Sequence, residues 1–278
     1  MNAQTLINTA RTNPALAAAL TVVPEWQQTI DLRDAVQQKM DNLAHVPLPP
    51  RPTNADQLDD WIAAAAAATS QQEQAERLHA TLRSLAADLT GNLDGTAWIH
   101  GNTMLADLHT QLVAVMKSVA TIADKLNGAN NASAAITQQV EKHWRALPEL
   151  RIQYENIRAA QTIITIAVDS NASQNAISPH LPEELASDLL LANMDELIPG
   201  WRVADTRWVA SGNPPRRAPW PTEPIEQLVW LATSDAQPWV PTTDQLAQLN
   251  DKRLNRPPMN IKPLIVHGRT DRKATTNA

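Results

Sequence analysis

LADLHTQLVAVMKSVATIADKL, residues 105–126, decides the reading of this chain. Its apolar residues fall at Leu105, Leu108, Leu112, Val115, Val119, Ile122 and Leu126, an unbroken alternation of three and four. That spacing places them on one seam of an α-helix packed against neighbouring helices. Val113, Met116, Ala120 and Ala123 widen the stripe, while Asp107, Thr110, Lys117 and Asp124 keep the other side polar. A stripe this broad suits a helix touched by two partners, and so a central place in a bundle.

Working outward, the upstream stretch supplies a second seam: Trp61, Ala64, Ala68, Gln71, Ala75, Leu78, Leu82, Leu85 and Leu89. Its first half contains six consecutive alanines, Ala63 to Ala68, which allow a close neighbour or a bulky tryptophan. Thr53 or Asn54 is the expected N-cap, with Asp56, Asp59 and Asp60 favourably placed in the first turns. Gly91, Gly95 and Gly101 suggest a loop over 91–101, and Asn127-Gly128 a C-cap for the central helix. Downstream, Ile136, Val140, His143, Leu147, Leu150, Tyr154, Ile157, Gln161, Ile164 and Val168 form a third seam, with Pro148 expected to kink or split it. His143 and Gln161 are polar residues at core positions, where a hydrogen bond commonly fixes register. Three long helices joined by short loops predict a mainly α protein built on an antiparallel three-helix bundle over 53–170.

Residues 1–52 read as a helical arm followed by a proline spacer. Asn13-Pro14 and Pro24 are helix starts, and Pro47 to Pro52 forms an extended, semi-rigid run. Recognition of that run by a proline-reading domain is the alternative use. Ala15 to Val23 could pass for a signal-peptide core, but Pro14 and Pro24 bracket it and no convincing cleavage site follows. No apolar run reaches the roughly twenty residues a membrane helix needs.

Residues 171–278 differ in character. Thirteen of the 20 prolines and five of the nine tryptophans follow Ser178, in a chain with no Phe and a single Tyr. Short helices are expected from Pro182 to Leu197, from Pro224 to Leu231 and from Thr243 to Leu254, with Trp201 to Val209 as a short strand pair or an extended segment. From Asp251 onward seven basic residues face two acidic ones, a net +5 in a chain of net charge −6. The chain as a whole is therefore too acidic to coat nucleic acid, and only this tail could touch it.

Chemistry is sparse. With no Cys, disulfides and thiolate metal sites are excluded. Neither a nucleophile elbow nor a glycine-rich phosphate loop is present, and no cofactor motif is found. Glu76 and His79 have the Glu-x-x-His spacing of a metal pair, but no second pair accompanies them. An enzyme would have to assemble its site from scattered groups such as Glu76, His79, Asp107, His109 and His143. The stretch Trp98-Ile99-His100-Gly101 is one residue longer than the Trp-x-Gly turn of small helical-hairpin secretion substrates. Their Tyr-x-x-x-Asp/Glu element is also missing, because Arg158 follows Tyr154 at that distance.

Trp and Arg are the residues most enriched at binding hot spots. Trp201, Trp208, Arg216, Arg217, Trp220, Trp230 and Trp239 are therefore the expected partner-binding set, unless the tryptophans fold back as a second core. The sequence predicts a non-enzymatic structural or assembly protein, a subunit of a multi-protein particle of virion type. Its partners would be other protein subunits, with no membrane contact, and its place cytoplasmic or virion-associated rather than secreted. A soluble helical adaptor or exported effector acting alone is the alternative.

Overall fold

The computed structural model describes residues 3–43, 46–129, 132–168, 188–198 and 220–254. These are mainly α-helical, and among them the only β-pairing is an isolated antiparallel bridge between Leu191 and Pro238. In chain order the helices are α1 (Ala3–Ala10), α2 (Pro14–Thr21), α3 (Pro24–Asp41), α4 (Leu58–Ala123), α5 (Ala132–Thr137), α6 (Glu141–Trp144) and α7 (Leu147–Val168). They are followed by α8 (Met194–Leu197), α9 (Pro224–Thr233) and α10 (Thr243–Leu254).

The predicted helix starts are observed. Asn13 Oδ1 accepts from the Leu16 amide at 2.9 Å and Pro14 opens α2. Pro24 opens α3 in the same way. Asn54 Oδ1 accepts from the Gln57 amide at 3.1 Å, capping a 3-10 turn (Ala55–Gln57) that feeds into α4. At the other end, α4 stops at Ala123 with Asp124 as its C-cap, earlier than the expected cap at Asn127-Gly128; those two residues take left-handed φ of 51° and 83° in the turn that follows.

The expected loop over 91–101 is absent: α4 is one helix of 66 residues, about 100 Å long. Three glycines cost about 1 kcal/mol each relative to alanine inside a helix. That cost is outweighed because Leu89, Leu93, Ala97, Gly101, Met104, Leu105 and Leu108 are all buried on one continuous stripe. Breaking the helix would turn half of them away from the core. The first two helices of the expected bundle are thus halves of one rod. The helices that meet in the core are α4 and α7, with α2 and α9 each packed against both.

The second half of α4 runs antiparallel to α7, with Gly101 beside Val168 at one end and Val115 and Ser118 near Gln153 and Ile157 toward the other. Leu105, Leu108, Leu112, Val115, Val119 and Leu126 are buried as predicted, whereas Val113 is 51 % exposed and does not belong to the stripe. The arm shares this core. Leu6, Leu16, Ala19, Leu20 and Trp26 belong to the same buried cluster as Leu108, Leu112 and Ile157.

The first half of α4 is a stalk on which no residue before Leu89 is fully buried. Its half-buried face is Trp61, Ala65, Ala68, Gln72, Ala75, His79, Leu82 and Ala86, one residue displaced from the expected seam at four places. Leu78 and Leu85, expected inside, are 43 % and 38 % exposed. The partner is α3, which turns Trp26, Ile30, Val36 and Met40 inward. Beyond α3 the proline run lies along the rod, with the Val46 amide donating to Gln72 Oε1 and Trp61 Nε1 donating to the Pro49 carbonyl.

The third expected helix is divided. Gln139, at φ 59°, separates α5 from α6, and α7 begins at Leu147 with Pro148 in its first turn, where a missing amide costs nothing. Ile136, expected on the seam, is 66 % exposed.

Gly91 and Gly95 are solvent-exposed, and a Cβ at either would meet nothing within 4 Å. Gly91→Ala and Gly95→Ala are each expected to raise the unfolding free energy by about 0.5–1 kcal/mol. Chemical denaturation followed by circular dichroism checks this, and a loss of stability in either variant would refute a continuous α4.

Candidate functional site

The densest polar construction among the described residues lies where α4 and α7 meet the C-terminal segments. Arg158 and Gln161 stand one turn apart on α7, and the Arg158 Nη1 group donates to Gln161 Oε1 at 2.7 Å. The same guanidinium donates to the carbonyls of Leu189 (3.3 Å), Leu190 (3.2 Å) and Trp239 (2.6 Å). Gln161 is 3 % exposed and its Nε2 donates to the Leu189 carbonyl at 2.8 Å. The sequence marked Gln161 as a buried polar residue, and its bond to Leu189 O fixes one register of α7 against the segment beginning at Asp188, while its Oε1 orients Arg158 on the same helix. The faces of the Tyr154 ring receive Arg158 at 5.0 Å and Arg151 at 5.2 Å from its centroid, both within cation–π range.

Residues 188–193 and 235–240 are laced into a clasp by their own hydrogen bonds. The Ala192 amide donates to Gln237 O, the Trp239 amide to Leu190 O, and Trp239 Nε1 to Asp188 O at 2.7 Å. Asn193 spans the far end, donating to Asp235 O and accepting from the Gln237 amide. Two side chains of α4 then hold the clasp. His109 Nδ1 accepts from the Val240 amide at 3.2 Å, and Asn102 Oδ1 accepts from both the amide and the hydroxyl of Thr243 at 3.0 Å. Because Nδ1 accepts, the imidazole carries its hydrogen on Nε2. Burial, and then the nearby Arg158 cation, lower the His109 pKa below its ordinary value of 6.5.

Of the predicted partner-binding set, Trp201, Trp208, Arg216 and Arg217 lie outside the described residues. Trp220 and Trp230 are half-buried against the core and pack together, ring centroids 6.5 Å apart at 55°. Trp239 is half-buried within the clasp. These three have structural contacts of the kind a second core would supply.

The five scattered catalytic candidates are not brought together. His79 and His109 lie on one straight helix 30 residues apart, about 45 Å. Glu76 accepts from Gln72 Nε2 and so steadies the side chain that holds Val46, and Asp107 accepts from Gln111. His143 is on the four-residue α6. No group of three or more His, Asp or Glu suited to a metal ion occurs among the described residues.

Two further features were not read as sites in the sequence. A groove of about 460 Å³ lies between α2, α4 and α7, walled by Pro14, Ala15, Val115 and Ile157 and rimmed by Gln111, Gln153 and Asn156. Trp98 and Ile99 stand on the outer side of α4, 65 % and 66 % exposed. The neighbouring glycines made them look like loop residues; only the unbroken helix makes them a fixed apolar pair. Among the described residues no helix is long and apolar enough to cross a membrane. No protein-family model, curated protein or solved structure matches the chain.

Proposed function

We propose that this chain is a non-enzymatic structural or assembly protein that works as a subunit of a larger particle, a virion-type assembly being the specific form. The observation that carries this reading is the exposed apolar set on the rod. Leu58, Ile62, Leu78, Leu85, Trp98, Ile99 and Val113 are all more than one-third exposed along α4. Rigid helices bearing apolar side chains that the other described residues leave uncovered are suited to contact with other proteins. A stalk with no fully buried residue before Leu89 adds reach without adding core. The C-terminal Trp/Pro-rich region, with Trp201, Trp208, Arg216, Arg217, Trp220, Trp230 and Trp239, supplies further contacts in this reading. The basic tail lies on an acidic neighbour or on packaged nucleic acid.

Light scattering on the purified full chain is the test. A mass above the 30.5 kDa of one chain is expected, rising with concentration. The double change Trp98→Glu with Ile99→Glu is expected to reduce that mass to one chain while the helical circular dichroism is kept. A monomer at every concentration, with nothing co-purifying from the native source, would replace assembly with the adaptor reading.

A further inference from the structure

We propose that His109 is an acid-released latch: as a neutral imidazole it holds the clasp of residues 188–193 and 235–243 on α4, and on protonation it lets the clasp go. The geometry defines both states. In the closed state Nδ1 is the acceptor for the Val240 amide, beside the Arg158 grip on Trp239 O and the Asn102 grip on Thr243. Protonation turns Nδ1 into a donor, so a donor then faces the Val240 amide and a second cation is placed near Arg158. Both changes act against closure.

Arg158 on α7 acts on the imidazole directly. Among the described residues, the acids on the elements meeting there include Asp188, buried in the clasp, Asp235 at its far end, Asp107 on α4, which is engaged by Gln111, Glu155 on α7, which is paired with Arg151, and Asp244 just past Thr243. His109 is neutral in the closed state because its Nδ1 accepts the Val240 amide, and burial, then Arg158, lower its pKa from the ordinary value in the same sense. The open state binds the proton more readily, so closure is favoured above the ordinary imidazole pKa and is lost as pH falls below it toward the closed-state value. Opening would uncover Leu191, Val240 and the α4 surface beneath them, apolar groups that are covered at neutral pH; Leu191 and Val240 are each 1 % exposed. The latch does not depend on whether the chain assembles.

Hydrogen exchange read by mass spectrometry on the full chain tests this, with rates corrected for the intrinsic pH dependence of exchange. Between about pH 7.5 and about pH 5, peptides covering 235–243 are expected to lose protection roughly tenfold, the order supplied by one lost amide–imidazole hydrogen bond. Peptides from α7 should not change. His109→Gln supplies a neutral acceptor at either pH and is expected to abolish the loss. An unchanged clasp in the native chain, or an equal loss in His109→Gln, overturns the latch. Should His109→Gln fail to fold, the His109 imidazole titration by NMR in the native chain decides. A midpoint coinciding with clasp opening supports the latch, and a displaced one overturns it.

Discussion

Arg158→Met is expected to lower the unfolding free energy by about 3 kcal/mol and to free the clasp from α7. Methionine keeps much of the apolar stem but leaves the carbonyls of Leu189, Leu190 and Trp239 without their common donor. A buried acceptor left without a partner costs more than a typical hydrogen bond contributes. Leu189 O keeps Gln161 Nε2 and Leu190 O keeps the Trp239 amide, so the largest penalty falls on Trp239 O, with the loss of the other two charge-assisted bonds added to it. Arg158→Lys should recover only part of the loss, because one ammonium cannot reproduce the planar fork that reaches both segments. Urea denaturation gives the magnitude. Hydrogen exchange should locate the effect at 188–193 and 235–240, and a uniform loss over all helices would refute the assignment. The His109 pKa should also rise in Arg158→Met. Its main depressing cause, burial, lessens as the clasp loosens, and its second, the Arg158 cation, is removed.

Gly101→Val is expected to cost about 2–3 kcal/mol, the usual range for overpacking a well-filled site. Gly101 is buried, and a Cβ there would collide with Val168 Cγ2 and come within 3.3 Å of Val168 Cβ. Rotating the Val168 side chain relieves the first contact but not the second, so the two helices must separate. Smaller Val168 should compensate: Gly101→Val combined with Val168→Ala is expected to be more stable than Gly101→Val alone. Thermal unfolding of the single and double variants checks this, and strict additivity would exclude direct contact. The opposite sign expected for Gly91→Ala and Gly95→Ala makes the three glycines of α4 an internal control.

Local signals of the fold were legible where one residue settles one geometry. Asn13, Asn54, Pro14 and Pro24 did so, because capping depends on groups within a turn. The continuity of α4 was not legible, since the glycine penalty is local whereas the burial of Leu93 and Ala97 that overcomes it is supplied by other elements. The stalk register was ambiguous for a different reason. Six alanines offer no contrast in size, so the seams through Ala64 and Ala65 look equally good until α3 selects one. The candidate site was the least legible part. Gln161 stood out as a polar residue on an apolar seam, but His109 and Arg158 are ordinary surface residues by spacing. Their meaning comes from main-chain groups of residues 188–190 and 239–240, and main-chain groups leave no trace in side-chain patterns.

The unbroken α4 has a mechanical consequence. Its second half is clamped in the core and its first half is a cantilever of about 45 Å from Leu89 to the proline-flanked tip. A rod fixed at one end magnifies angle into displacement, so a tilt of about 10° at the clamp carries the tip about 8 Å. The bend would fall near Gly91 and Gly95 at the base of the cantilever, where α4 has no side chain at those two positions to resist it. Filling those two positions with alanine would then raise the bending stiffness of the cantilever as well as the stability of the helix.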